Sequence, residues 1–217
     1  MFQRKEYKNP PLIEALFEIY FSETISNLTL FGDFYNQIKS EYKNQKELKN
    51  VGFEMNFSPE MVHTKQFDKG SMMRFSKEDN SQLVQITKNL LTFNKLKPYN
   101  GFESFKEEFQ EIFDKYVDLA KPQNTERIGL RYINKITIPE EAFSLDDYFN
   151  FSLRFSDDSF STIAGISFKV QLIPKNLSHQ LFVTLNSAKS PEEGESEFLL
   201  DIYDTFIFHR EVDKQFI

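Results

Sequence analysis

The chain predicts an α+β fold: a single domain built on a strongly curved antiparallel sheet of about eight strands, with helices packed on its apolar face. Three observations carry that reading. Apolar residues alternate with period two along Ile13–Phe21, Arg127–Ile138 and Gly165–Ile173. Two other segments place them three and four residues apart. The 217 residues include 25 Phe and 9 Tyr, ample apolar bulk for one core.

The elements follow in order. After Pro10-Pro11, Ile13, Ala15, Phe17, Ile19 and Phe21 form a greasy strand face, with Leu12, Glu14, Leu16, Glu18 and Tyr20 on the other. Asn27 suits the cap of a helix with Phe31, Phe34, Ile38 and Tyr42 as its stripe, and a Lys/Glu-rich tail carries this element to about Asn50. Val51–Phe57, Ser71–Lys77 and Gln82–Lys97 read as three strands separated by turn-rich segments. Phe102, Phe105, Phe109, Phe113 and Tyr116 then give a second helix, Phe102–Ala120, a wide aromatic stripe. Pro122 closes the first half. Arg127–Ile138 opens the second as a strand, a short helix follows at Leu145–Phe149, and Gly165–Ile173, Gln180–Asn186 and Phe198–Phe208 are three more strands. The order suggests two related halves, about 1–121 and 122–217. The first ends in a long helix and the second does not, so the expectation is that the chain is truncated, that its tail forms a stub helix, or that a partner chain covers the second half's apolar face.

Composition narrows the chemistry. With 26 Lys+Arg against 33 Asp+Glu, the net charge is −7, which disfavours nucleic acid as the main partner. The absence of cysteine removes disulfides, thiolate metal sites and thiol nucleophiles. Seven glycines are too dispersed for a phosphate-cradling loop. No apolar run suits a signal peptide or a membrane helix, so a cytoplasmic protein without membrane attachment is expected. The Asn27 and Asn176 glycosylation patterns are then chance matches. His63, His179 and His209 stand alone, with His63 and His179 in expected turns and solvated, so neither a metal nor any other cofactor is expected. Ser167 lies inside a strand pattern rather than on a nucleophile elbow. The acidic pairs Asp146-Asp147, Asp157-Asp158 and Glu192-Glu193 fall in caps and loops.

One constellation stands out. Glu14 and Glu18 share a strand face, as do Arg127, Arg131 and Lys135. If the two strands are neighbours, these five side chains form a cross-strand ladder. Ordinary surface pairing of this kind stabilises by at most about 1 kcal/mol per pair. In a functional reading the ladder floors a groove where Arg127 or Arg131 grips an anion bidentately.

Several stretches resemble a sporadically distributed family of uncharacterised bacterial proteins: Asn9–Ile19, Leu83–Ile86 with Phe93-Asn94, Tyr99 with Phe102-Glu103, Arg127–Ile136 and Phe198–Ile202. The Arg127–Ile136 segment is the most specific. Two departures from the pattern are Lys95, where such proteins carry Trp, and the lack of a C-terminal helix. The resemblance implies no particular activity, but it implies a mobile-element or phage-defence setting, and the Lys/Asn/Phe/Ile bias suits an AT-rich bacterium. The leading expectation is a non-enzymatic recognition module binding a protein partner, a second copy or a small anionic ligand. The alternative is a metal-dependent hydrolase or nuclease-like effector using acidic residues.

Overall fold

The computed structural model describes residues 9–22, 25, 27, 29–57, 62–140, 143–149, 165–175, 179–190 and 192–212, with side chains at 50–70 and 208 outside that description. Among the described residues the order is β1 (Leu12–Phe21), α1 (Thr29–Ile38), β2 (Asn44–Phe57), β3 (Val62–Ser76), β4 (Gln82–Ile86), β5 (Leu90–Leu96), α2 (Phe102–Ala120), β6 (Asn124–Ile138), α3 (Leu145–Tyr148), β7 (Ser167–Leu172), β8 (His179–Ala188) and β9 (Ser196–Glu211). This is an α+β chain dominated by antiparallel sheet.

The strand order β2-β3-β4-β5-β1-β6-β9-β8-β7 is linear, so the sheet is open with β2 and β7 at its edges. This corrects the strongly curved sheet expected from the sequence. Both edges explain why: Lys46 and Lys49 on β2 and Lys169 on β7 are exposed, and charged edge strands resist further pairing. Two other expectations change. The Lys/Glu-rich tail assigned to the first helix is the start of β2, because α1 stops at Ile38. Polar residues are ordinary on an edge strand, and there they mimic a solvated helix end. Gln82–Lys97 is a hairpin rather than one strand. The chain reverses at Thr87-Lys88-Asn89, where Thr87 N donates to Leu90 O at 2.9 Å.

Two compact units share the chain. One comprises Glu14–Leu130 and Thr205–Ile217 and is called the larger unit below; the other, the smaller, comprises Met1–Ile13 and Arg131–Asp204. In the larger unit, Ala15, Ile19 and Phe21 of β1 are buried, as the alternation predicts. Register sets Phe75, Val84, Phe93 and Phe17 in one row across β3, β4, β5 and β1. Aromatic side chains of the helices meet this row: Phe109 of α2 lies 4.4 Å from Phe17, Phe105 5.6 Å from Phe93, and Phe34 of α1 6.0 Å from Phe75. Such ring pairs add about 1 kcal/mol each beyond the area they bury.

Helix ends are chemically marked. Thr29 N donates to Asn27 Oδ1 at 3.0 Å, the expected start signal of α1. Gly101 enters α2 at φ 99°, a conformation that a side chain would strain. Lys121, left-handed at φ 46°, ends α2 by donating its N–H to Val117 O, and Pro122 follows. The smaller unit has its own cluster, in which Ile138, Leu145, Leu185 and Phe198 are buried against Ile136, Phe143, Phe149, Ile166 and Leu200.

Candidate functional site

β1 and β6 are sheet neighbours, the condition on which the ladder depended. The structure then distributes the five residues differently. In the larger unit Glu18 pairs with Arg127, Nη2 to Oε1 at 3.7 Å, and the Arg127 guanidinium lies 3.9 Å over the Tyr20 ring. A guanidinium over an aromatic face contributes about 1 kcal/mol. Burial, and secondarily the Glu18 carboxylate, push the Tyr20 hydroxyl above its ordinary pKa, against the lowering effect of Arg127. Glu14 turns elsewhere and accepts from Asn94 Nδ2 on β5.

In the smaller unit Arg131 forks onto Asp201 of β9, with Nε to Oδ1 at 2.8 Å and Nη2 to Oδ2 at 2.6 Å. Lys135 pairs with Glu197 at 2.6 Å. Sequence reasoning missed both acids because nothing local announces that β9 runs beside β6. The alternation of Phe198 and Leu200 with Glu197, Leu199 and Asp201 was the available signal. His179, expected in a solvated turn, instead begins β8 with Nδ1 2.6 Å from Asp204 Oδ1. Its Nε2 is buried with no hydrogen-bond partner among the described residues. Of the acidic pairs, Asp146-Asp147 occupies the first turn of α3, whereas Asp157-Asp158 lies outside the described residues. The glycosylation pattern at Asn176 and the side chain of His63 lie outside them too. Ser167 is exposed at the start of β7, its hydroxyl donating to Asn186 Oδ1. No three His, Asp or Glu side chains converge on a metal-sized space among the described residues.

Register reveals a longer polar row in the larger unit. Lys46 on β2 stands opposite Arg74 on β3, Arg74 opposite Gln85 on β4, Gln85 opposite Thr92 on β5, and Thr92 opposite Glu18 on β1. Partnered residues share a sheet face, so this row lies on the side opposite the Phe75–Val84–Phe93–Phe17 row. A chain of side-chain amides runs diagonally across it. Arg74 Nε and Nη2 donate to Gln85 Oε1 at 3.3 and 3.2 Å, Gln85 Nε2 donates to Asn94 Oδ1 at 3.0 Å, and Asn94 Nδ2 donates to Glu14. Every donor points toward the carboxylate, so the cation and anion at the two ends fix the sense of both amides. Gln85 and Asn94 are buried, as is Thr92. Buried polar groups satisfied in this way hold one arrangement, because breaking any link strands a desolvated partner.

No protein-family model matches the chain, and no curated protein matches it either.

Proposed function

We propose that the protein is a non-enzymatic recognition module that binds a protein partner or a small anionic ligand through the polar face of its larger unit. The observation that supports this is the row from Lys46 to Glu18, extended by the Glu18–Arg127 pair, in which the buried amides of Gln85 and Asn94 hold the Arg74 guanidinium in a fixed orientation. Fixed donors suit recognition, since little side-chain freedom is lost when a partner binds.

The same reading takes 1–121 and 122–217 as related halves, each with its helices on one sheet face. It is supported by the return of β5 beside β1 and of β9 beside β6, each after a strand, a helix and an antiparallel run. It also keeps the resemblance to the sporadic bacterial family, with the mobile-element or phage-defence setting that it implies.

The test is a thermal-shift panel of carboxylates and phosphates on the wild type and on Arg127→Ala and Arg131→Ala, with light scattering to detect self-association. A saturable shift that Arg127→Ala loses while its unliganded Tm stays unchanged supports recognition on this face, whereas a shift lost only by Arg131→Ala places the anion in the smaller unit and overturns the assignment to the larger one. Equal loss of Tm and binding assigns the arginine to structure. If no anion shifts Tm and the protein neither self-associates nor binds a partner, the reading fails.

A further inference from the structure

The two arginines expected to grip an anion are already engaged, Arg127 with Glu18 and Arg131 with Asp201, and Lys135 of the same strand face is paired with Glu197. Arg74 differs. Its two bonds go to the neutral oxygen of Gln85, and no carboxylate is ion-paired to it among the described residues. A guanidinium carries five N–H donors, so three remain beyond the two that Gln85 takes.

The residue directly across from Arg74 is Lys46, another cation without an ion pair among the described residues. Like charges directly opposite on a sheet are unfavourable, and here they stand together in a chain whose net charge is −7. Their nearest acid in the row, Glu18, is three strands away, about 14 Å at the usual strand spacing. That exceeds the screening length of about 8 Å at physiological salt, so Glu18 offsets little of the charge. Glu14 reaches Arg74 only through two amides. The relay nonetheless has a use. It pins the Nε edge of the guanidinium on Gln85, and among the described residues its remaining donors have no partner, so they can meet an incoming group without first being ordered.

We propose that Arg74 and Lys46, oriented by Gln85, form a binding site for an oxyanion, the carboxylate or phosphate group of a small ligand. This rests on the recognition reading above and assigns its anion to the β2–β3–β4 end of the polar row. Arg74 supplies paired N–H donors, Lys46 supplies a mobile point charge, and no proton transfer or bond making is involved.

The probes are inorganic phosphate and succinate, titrated separately at constant ionic strength into the whole protein and followed by calorimetry and thermal shift. The expected result is saturable binding of at least one probe in the millimolar range or tighter. Arg74→Gln should weaken it at least tenfold and Lys46→Gln about threefold, while Lys39→Gln, an exposed cation outside the polar row, leaves it within twofold. Phosphate binding without succinate binding identifies a tetrahedral ligand group, and the reverse a planar one; either outcome supports the site. Lys46 is exposed, so Lys46→Gln remains informative even if Arg74→Gln fails to fold. Binding that survives both Arg74→Gln and Lys46→Gln but falls with Arg127→Gln keeps anion recognition and overturns this site. Binding of neither probe overturns the site and leaves only the protein-partner form of the broader reading, which light scattering and partner binding test independently.

Discussion

Lys95 of β5 is a buried cation, and its surroundings show what such a charge does in this sheet. Its ammonium lies 2.9 Å from Glu108 Oε1, with side chains 9% and 29% exposed. Glu108 Oε2 also accepts from Gln82 Nε2 at 2.9 Å, and Gln82 Oε1 accepts from the Tyr42 hydroxyl at 2.8 Å. At 2.9 Å and an effective dielectric constant of about 20, the attraction is about 6 kcal/mol before desolvation is subtracted. Most of that gain offsets the cost of burying the ammonium, so the pair is nearly neutral overall, but removing one member is not. Glu108→Gln keeps an acceptor for Gln82 and strands the Lys95 charge, and it should cost about 3 kcal/mol. Lys95→Met strands a carboxylate that still has Gln82 and partial solvent, so about 1.5 kcal/mol is expected. The double variant removes both charges and should lie within about 1 kcal/mol of wild type. Urea denaturation followed by circular dichroism reads this directly. With a slope of about 2 kcal/mol per molar, Glu108→Gln shifts the midpoint down by about 1.5 M, and the double variant returns most of it. If the double variant loses the sum of the two single costs, the pair is not coupled and the reasoning is wrong.

Other perturbations separate core from surface. Phe109→Ala, at a fully buried ring, should cost about 4 kcal/mol in denaturant unfolding, whereas Phe102→Ala, 42% exposed, should cost under about 1 kcal/mol. Arg131→Ala breaks a half-exposed pair and should lower stability by about 1 kcal/mol at most, a loss that shrinks in high salt. Burial raises the Tyr116 hydroxyl above the ordinary value of about 10, and burial followed by the nearby Glu41 carboxylate does the same for Tyr42. A raised folded-state pKa contributes stability that is intact below pH 10 and is lost as pH rises above it, because the unfolded phenol ionises first. Unfolding free energy should therefore fall with pH above about 10, and Tyr116→Phe should make that fall shallower. An unchanged slope in Tyr116→Phe would show that this phenol ionises equally in both states.

What the sequence disclosed was governed by near neighbours along the chain. The alternation in β1 and the aromatic steps of α2 both marked buried faces, since Ala15, Ile19, Phe105, Phe109, Phe113 and Tyr116 are buried. Even there the stripe overreached at Phe102, which sits in the first turn of α2 and faces solvent. The hairpin at Thr87–Asn89 escaped notice because Lys88-Asn89 lacks the glycine that usually announces a tight reversal. For the site, the pattern gave the faces of Glu14, Glu18, Arg127, Arg131 and Lys135 but not their partners. Asp201 and Glu197 are about 60 to 70 residues from the cations they bind, and such pairing depends on strand order, which periodicity does not encode. Arg74 carries no local signal, because its setting is made by Lys46, Gln85 and Asn94 on three other strands, none of which is unusual alone.

The placement of β1 also bears on how the larger unit assembles. β2, β3, β4 and β5 are joined consecutively as antiparallel neighbours, so each pairing closes a short stretch of chain. β1 docks against β5 only across a wide sequence gap, as the 80 residues between Glu14 and Asn94 illustrate. Closing so long a loop costs entropy that only the finished meander and α2 can repay. The N-terminal strand is thus expected to dock last; destabilising substitutions at Ala15 or Ile19 should chiefly hasten unfolding, while those at Val84 or Phe93 should slow folding.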